Sequence, residues 1–468
     1  MLALTGCSLP PSGPILRLEP DKNKPLPTPG PVKPTRDNPP PRTDGNFDEW
    51  VGVAPLARDL SGDALGGFDV TRLYATSRGS TLYLRFDVGK ELNLQAGAAA
   101  DRTLVVEITL PGDRKLLIDI RGRRIRVEGQ DELSWENIAL RAAPTHAASE
   151  FEMQINLLRF KVGQGSQIEI DFSGSDWLDQ PARFTLADPR PKLTPIALDR
   201  ETGVFRLANL NTLFDGLLEG ERGQAIGRLF RAVKADVYTL QEEWNASAEA
   251  IARAFDAIDP HGDAARWHAH KVNDCVIVSR SELLAVPTFN ERYAAAIVKF
   301  NNVTPLLVVS IHPKCCGYLG SKEDAERDRQ FNDIARTIAR LRSGGFGPEL
   351  ATYRDVPVVL AGDWNLVGGA APLTILTGNG KPGLRRITLR HTHKGDLYTW
   401  RKTGSSFWPG LLDLIVYSPD TLSSRKGFVL DSAALPSTTR TGLGLQLADS
   451  AASDHLLLVA DWALKSAD

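Results

Sequence analysis

The C-terminal half of the chain contains six short polar motifs, and each follows or lies within a short apolar run that is typical of a buried strand. Strands of this kind form sheets covered on both faces, and the polar residues at their ends meet at the sheet edge. The chain is therefore expected to gather carboxylates, carboxamides and two histidines at one edge. In chain order the motifs are Asn209-Leu210-Asn211, Leu240-Gln241-Glu242, Ser310-Ile311-His312, Gly362-Asp363-Trp364-Asn365, Leu412-Asp413-Leu414 and Ser453-Asp454-His455.

The length and composition of the chain favour a globular protein of two domains. Its 468 residues exceed the size that one hydrophobic core usually serves. Apolar residues make up 42% and charged residues 24%, as in ordinary soluble proteins. The formal net charge of -2 gives no overall attraction to nucleic acid or to an anionic membrane. No stretch of the sequence approaches the roughly 20 apolar residues that a membrane-spanning helix needs.

The N-terminus resembles the lipobox of a bacterial lipoprotein, in which a cysteine is lipidated after cleavage. Residues 1–7 end in Leu4-Thr5-Gly6-Cys7, with a small residue directly before Cys7. Only six residues precede Cys7, so a full signal requires a start further upstream. Residues 8–43 are rich in proline, which predicts an extended tether. These features predict lipidation at Cys7 and a place in the bacterial cell envelope, anchored to a membrane or secreted; the alternative is an ordinary disordered tail.

Residues 44–188 contain short runs of alternating apolar and polar residues, such as Leu104–Ile108, separated by turn residues. This pattern predicts an antiparallel β-sandwich. The opening segment Asp44-Gly45-Asn46-Phe47-Asp48-Glu49-Trp50 resembles the carbohydrate-binding-module-9-like and DOMON-like sandwiches. That resemblance implies a binding module, with carbohydrate or a surface ligand as the partner. Three tryptophans are available either to stack on a sugar ring or to fill the core: Trp50, Trp135 and Trp177.

A cluster of prolines marks the end of the first domain: Pro189, Pro191 and Pro195. Over residues 197–466 strand-like runs alternate with amphipathic stretches, which predicts an α+β domain. Apolar residues at helical spacing predict helices over Arg222–Val233 and Ser321–Leu341. The runs Asp236–Leu240 and Val356–Ala361 are predicted to be buried strands that lead into the second and fourth motifs.

In this order, the six motifs resemble those of the endonuclease/exonuclease/phosphatase superfamily, the deoxyribonuclease-I-like metal phosphoesterases. The resemblance covers about residues 200–465, nearly the whole second domain. It implies a four-layer α/β/β/α sandwich and hydrolysis of a phosphoester by direct attack of water. The protein is thus expected to be multidomain, with an N-terminal β-sandwich before this α+β fold.

The expected metal site centres on Glu242, which follows a buried strand directly and so lies at a sheet edge. Mg²⁺ prefers oxygen ligands and keeps several waters, so one or two carboxylates suffice; Mn²⁺ and Ca²⁺ are the alternatives. Asn209 and Asn211 lie two apart on the first strand, share a face and could assist Glu242. The resemblance makes Asn209 the better match to the asparagine of the family, and it adds Asp454 as a residue that binds or approaches the metal.

The resemblance also implies the catalytic groups. Asp363 is expected to orient or deprotonate the attacking water, and Asn365 to donate a hydrogen bond to a phosphate oxygen. For His455 two roles stay open, general base on water or cationic stabiliser of phosphate, with Asp413 as the partner that fixes its tautomer. His312 is expected to contact the scissile phosphate or to protonate the leaving oxygen.

Two side features extend the predicted site. Thr399 is either a phosphate contact or a plain strand residue. The pair Cys315-Cys316 follows His312 closely, and in an oxidising envelope one of these cysteines could bond to Cys275 and fix the loop.

The substrate stays open because one fold supports several activities. The resemblance allows a nuclease or other phosphodiesterase, a sphingomyelinase-like enzyme, or an inositol-phosphate phosphatase. Nuclease is the first expectation because it is the commonest activity of the branch that His312 favours. A function of another class is a non-catalytic envelope binding or adhesion protein, in which the β-sandwich carries the function. The intact set of polar motifs argues against that class.

Overall fold

The structure is a computed structural model that describes residues 42–96, 103–187, 194–260, 266–300, 304–378, 383–394 and 397–465. The predicted lipobox with Cys7 and almost all of the proline-rich segment lie outside the described residues. Lipidation and envelope anchoring therefore stay predictions. Within the described ranges, no helix is both long and apolar enough to cross a bilayer.

The N-terminal part consists of short antiparallel strands. They form two sheets, and along the Leu104–Leu110 strand buried side chains alternate with half-buried ones, as expected where one face lies in the core. The strands are β1 (Ala57–Arg58), β2 (Val70–Arg78), β3 (Thr81–Leu92), β4 (Leu104–Leu110), β5 (Arg114–Asp119), β6 (Arg124–Val127), β7 (Glu132–Leu133), β8 (Arg141–Ala143), β9 (Ala148–Asn156), β10 (Gln167–Gly174) and β11 (Ala182–Thr185). Their orders are β1-β2-β3-β9-β8 and β11-β10-β4-β5-β6-β7.

The two N-terminal sheets share one hydrophobic core, to which Phe86 of β3 and Phe172 of β10 contribute rings 5.8 Å apart. Of the two roles left open for the tryptophans, filling the core is the one that Trp50 and Trp135 take, because both are buried. Trp50 instead donates from Nε1 to Glu152 Oε1 over 2.7 Å.

The C-terminal part combines two mixed sheets with helices, which confirms a strand-rich chain of several sheets. The helices are α1 (Gly220–Val233), α2 (Ala248–Ile258), α3 (Lys322–Arg342), α4 (Pro348–Ala351), α5 (Ala371–Thr377) and α6 (Ser437–Gly442). The strands are β12 (Phe205–Asn211), β13 (Val237–Gln241), β14 (His268–Val272), β15 (Cys275–Ser279), β16 (Leu283–Ala285), β17 (Tyr293–Phe300), β18 (Thr304–Ile311), β19 (Val358–Asp363), β20 (Arg385–Arg386), β21 (Asp413–Tyr417), β22 (Leu422–Leu430) and β23 (Leu457–Leu464).

The two C-terminal sheets pack face to face and carry helices on their outer faces. Their strand orders are β14-β15-β13-β12-β23-β22 and β16-β17-β18-β19-β21-β20. One core contains residues of both sheets together with α3, and a second core joins the first sheet to α1 and α2. Only β12–β13 in the first sheet and β18–β19 in the second are parallel pairs. Each parallel pair brings two carboxyl ends to the same edge.

Local signals explain where the main helices begin and which face they bury. α1 buries Ile226, Leu229 and Phe230, the spacing that predicted it. At the start of α3 the Ser321 side chain accepts a hydrogen bond from Asp324 N, which caps the helix.

The cysteines near the predicted site are all free thiols in the structure. Cys275 is buried, and its Sγ lies 3.5 Å from the Arg292 carbonyl oxygen. The expected bond between Cys275 and Cys315 or Cys316 is therefore absent among the described residues.

Candidate active site

The six motifs meet at one edge of the paired sheets because of the strand registers. Asn211 pairs with Gln241 at the ends of β12 and β13, so Glu242 is the first residue beyond that edge. In the other sheet Ile311 pairs with Gly362, which places His312 beside Asp363. Glu242 has a positive φ of 64°, so the chain turns sharply directly after β13.

Asp363 lies at the centre of the cluster. Its Oδ2 is 3.7 Å from His312 Nε2 and 3.7 Å from His455 Nε2. Asn211 Nδ2 donates to the same Oδ2 over 3.3 Å and to Glu242 Oε1 over 2.9 Å. The structure thus brings together five of the predicted site residues around one carboxylate, which is 2% exposed.

His455 and Asp413 form a buried hydrogen-bonded pair. His455 Nδ1 donates to Asp413 Oδ2 over 2.8 Å, as the sequence predicted, and the other ring nitrogen points toward Asp363. Burial alone would lower the pKa of His455, but the carboxylates of Asp413 and Asp363 outweigh it and raise that pKa to about 10. Burial raises the pKa of Asp413 to about 6, although the nearby charge of His455 acts to lower it. At neutral pH the pair is therefore an imidazolium and a carboxylate.

His312 has an equivalent partner, Asp274, which the sequence analysis missed. His312 Nδ1 donates to Asp274 Oδ2, and the same oxygen accepts from Glu242 N over 3.3 Å. Burial lowers the pKa of His312, but the hydrogen bond to Asp274 and the nearby carboxylates, Asp363 foremost, raise it overall. Asp274 occupies the turn between β14 and β15 and resembles an ordinary turn residue. The one signal in the sequence is its position directly before the apolar run of β15.

Asn209 does not lie beside Glu242, although it is on the predicted face of β12. It is fully buried two residue pairs deeper in the sheet, where its Oδ1 accepts from Thr239 Oγ1 and from Gln241 Nε2. Gln241 Nε2 also donates to Ser310 Oγ of the second sheet over 3.0 Å. Asn211 is therefore the residue beside Glu242, and Asn209 supports Gln241, which links the two sheets beneath the site.

Two further expectations need correction. Thr399 is fully buried, and its Oγ1 accepts hydrogen bonds from Leu412 N and Asp413 N, so it supports the Asp413 strand and cannot reach a phosphate. Asn365 was expected to share a face with Asp363 in an extended turn. Its φ of 48° is left-handed, and its Nδ2 donates to Pro313 O over 3.2 Å. The second Nδ2 proton is the one left for a substrate oxygen.

The donor atoms at this edge suit a hard divalent cation. Asp363, Asp413 and His455 form a group whose side-chain N and O atoms lie within 4.8 Å of one another, but a protonated His455 is not a metal ligand, so the carboxylates of this group are its usable donors. Asp454 Oδ1 is buried and has no hydrogen-bond partner within the described part of the chain. Glu242 offers two further carboxylate oxygens, of which Oε2 accepts a hydrogen bond from Phe214 N. Carboxylate and carboxamide oxygens of this kind are the ligands that Mg²⁺ prefers.

Two exposed aromatic side chains flank the carboxylates. Phe214 is 68% exposed, on a segment whose backbone nitrogen donates to Glu242. Trp244 is 36% exposed, with its ring centroid 6.2 Å from that of His312. The Arg292 guanidinium lies 5.9 Å from the Trp244 ring. Large exposed aromatics beside a polar cleft indicate a surface that contacts a ligand. The sequence analysis found no such aromatic surface.

Comparison with known proteins identifies the family of the C-terminal part. Residues 208–455, just over half of the chain, match the profile of the family described as "Endonuclease/Exonuclease/phosphatase family". No curated protein matches the chain in a sequence search.

Solved structures are similar to part of this chain. The human Nocturnin catalytic domain is 17% identical, with 56% of this chain and 94% of that chain covered and a TM-score of 0.38. TDP2 from D. rerio, complexed with a single-strand DNA product, is 17% identical, with 55% and 98% covered and a TM-score of 0.37. An AP endonuclease from Archaeoglobus fulgidus is 12% identical, with 55% and 98% covered and a TM-score of 0.35.

Proposed function

The chain belongs to the Endonuclease/Exonuclease/phosphatase family, whose members hydrolyse phosphoester bonds, and from this premise we propose that it is a Mg²⁺-dependent phosphodiesterase that cleaves nucleic acid. The observation that carries the proposal is the position of Asp363 between two histidines, 3.7 Å from each imidazole Nε2. The Nδ1 of each histidine is hydrogen-bonded to a further carboxylate, Asp274 for His312 and Asp413 for His455. One carboxylate for water and two imidazoles for a phosphate suit direct hydrolysis.

The family is divalent-metal dependent, and the residues present fit such an ion. Glu242 and Asp454 would hold it, with Asn211 orienting Glu242 through the hydrogen bond from its Nδ2. A bound Mg²⁺ supplies polarisation of the phosphoryl oxygen and charge stabilisation of the leaving alkoxide. Mg²⁺ is proposed over softer metals because the available ligands are oxygens.

The protonation states of the side chains determine the role that we assign to each of them in the reaction. Asp363 accepts a proton from the attacking water, whose oxygen forms the new bond to phosphorus. His455, whose pKa is raised to about 10 by Asp413 and Asp363, stays protonated and balances the negative charge of the phosphate. Its pKa lies too far from neutral for efficient proton transfer. His312 is therefore the group that we assign to protonate the leaving oxygen from Nε2, with Asp274 holding the ring through its hydrogen bond to Nδ1.

The exposed aromatics favour a substrate with unpaired bases. Bases stack on aromatic side chains with about 1–3 kcal/mol each, and no particular sequence is required. Phe214 and Trp244 lie next to the carboxylates, and Arg292 beside Trp244 provides a cation for the backbone. A sphingomyelinase or a small-phosphate phosphatase would use the same catalytic groups without this stacking.

A substrate panel tests the proposal directly. The full chain is incubated with single-stranded DNA, RNA, plasmid DNA, sphingomyelin vesicles and inositol phosphates, each with Mg²⁺ and with EDTA. We expect hydrolysis of single-stranded nucleic acid that EDTA abolishes. Turnover of sphingomyelin or inositol phosphates alone would replace nucleic acid as the substrate, and no turnover of any kind would favour the non-catalytic binding protein.

The Trp244→Ala variant is expected to raise KM for single-stranded DNA by about tenfold, because one stacking contact of 1–3 kcal/mol is lost. The KM for a small diester that carries no base, bis(p-nitrophenyl) phosphate, should stay unchanged. Trp177→Ala is the matched control, since Trp177 is 45% exposed and lies in the N-terminal part. Equal effects of Trp244→Ala on both substrates would contradict base stacking.

A further inference from the structure

The N-terminal part contacts the C-terminal part at the loops that carry catalytic residues. Three successive carbonyl groups follow Asn365, and each accepts a hydrogen bond from the N-terminal part. Thr145 Oγ1 donates to Leu366 O over 2.8 Å. Asn93 Nδ2 donates to Val367 O over 2.8 Å and to Gly368 O over 3.1 Å. The backbone nitrogen of Ala147 also donates to Gly368 O, over 2.7 Å.

Asn93 joins this loop to the loop that follows His312. Its side chain is 4% exposed, and its Oδ1 accepts from Leu319 N over 2.7 Å while its Nδ2 serves the other loop. The same two loops meet at the site, where Asn365 Nδ2 donates to Pro313 O. One buried carboxamide thus fixes the distance between the segments that carry His312 and Asn365.

A third loop, residues 399–411, also packs against the N-terminal part. Trp408 is 2% exposed and belongs to the hydrophobic core of the N-terminal sheets. Its backbone nitrogen donates to Gln95 Oε1 over 2.8 Å. Gly410 lies so close to Thr145 that a Cβ there would come within 2.5 Å of Thr145 Cγ2. This loop leads directly into Asp413, the partner of His455.

We propose that the N-terminal part is a built-in positioning element of the catalytic site, with Asn93 and Thr145 as its positioning residues. A separately tethered binding module would leave the carbonyls of residues 366–368 to water. Here they are satisfied by the donors Thr145, Asn93 and Ala147, and an unpaired buried carbonyl would cost free energy. The contact holds Asn365 in its left-handed conformation and sets the separation of the loops. Catalysis is sensitive to such placement, since an error of about 1 Å can reduce the rate by about 10²-fold.

The isosteric pair Thr145→Val and Thr145→Ser tests the proposal in the full chain. Valine removes the hydroxyl that donates to Leu366 O, whereas serine keeps it. We expect kcat to fall about tenfold in Thr145→Val, with KM for single-stranded DNA nearly unchanged, and to recover in Thr145→Ser. Asn156→Ala is the control, because Asn156 bonds only within the N-terminal part, to Thr81 and Leu158. Equal kcat in all three variants would overturn the proposal, and so would equal losses in the valine and serine variants.

Hydrogen exchange of Asn93→Ala gives a second readout that does not depend on activity. We expect faster amide exchange in residues 313–320 and 365–369, with the melting temperature within a few degrees of the wild type. Unchanged exchange in both loops would overturn the proposal even if kcat fell. The kinetic measurement rests on the proposed phosphodiesterase activity. If no substrate is turned over, the hydrogen-exchange measurement alone tests the positioning role. Failure of the proposed activity and failure of the positioning role are therefore distinguished.

Discussion

Replacing His455 with alanine is expected to lower kcat by about 10²–10³-fold, the usual cost of removing one preorganised group that stabilises transition-state charge. The imidazole Nε2 lies 3.7 Å from Oδ2 of Asp363, the carboxylate proposed to accept the proton of the attacking water. Asp413 and Asp363 raise the pKa of His455 to about 10, so at neutral pH a positive charge is lost with the ring. KM should change less than kcat, because the charge matters most as negative charge develops.

Two companion variants make this result specific. His455→Asn keeps a hydrogen-bond donor without the charge, and its kcat should fall by less than that of His455→Ala. His268→Ala is the matched control, since His268 lies at the far end of β14, paired with Ser279. The measurement is steady-state hydrolysis of single-stranded DNA with Mg²⁺ at pH 7. A His455→Ala enzyme within threefold of the wild type would remove His455 from the mechanism.

The strand ends of the site were predictable because short-range patterns encode them. An apolar run predicts a buried strand, and the polar residue that closes the run must lie at the sheet edge. Glu242 and Asp363 were located by that rule, whereas His455, which precedes β23, was identified from the resemblance of its motif; the structure places all three at one edge. Asp413 was predicted as the partner of His455, and the hydrogen bond between them is present.

The partners that depend on register were not predictable. Asn209 and Asn211 lie on one face of β12, and only the pairing of Asn211 with Gln241 decides which of them reaches Glu242. Asp274 is separated from His312 by 38 residues in the sequence. Asp274 directly precedes β15 and His312 directly follows β18, and these strands lie in different sheets that pack together. No local pattern carries that information.

The contact between the two parts of the chain was also absent from the sequence analysis. It is made of backbone carbonyls, one asparagine and one threonine, and none of these differs in type from ordinary turn residues. Trp408 is a further example, because its position in the C-terminal sequence gives no sign that it fills the N-terminal core. Composition predicts where one domain ends and the next begins along the chain. It does not predict which residues of the two parts come into contact when the chain folds.

The Glu242→Ala variant is expected to lose about 10³-fold or more in kcat with Mg²⁺, because metal polarisation of a phosphoester contributes several kcal/mol. Glu242 sits directly after β13 with its Oε1 hydrogen-bonded to Asn211, so no neighbouring carboxylate can take its place without moving the strand end. The adjacent Glu243 is fully buried and accepts from Thr212 and Leu217, so it cannot substitute.

Binding of the metal is measured independently by thermal unfolding. A cation at 100 times its Kd stabilises the folded state by about 2.7 kcal/mol, so Mg²⁺ should raise the melting temperature of the wild type by several degrees. Glu242→Ala should lose most of that increase, whereas the control Glu349→Ala, an exposed change on α4, should keep it. If the Glu242→Ala variant is inactive but Mg²⁺ still stabilises it fully, Glu242 serves the chemistry without holding the metal. Asp454 is then the ligand to test, because its Oδ1 is buried with no hydrogen-bond partner among the described residues.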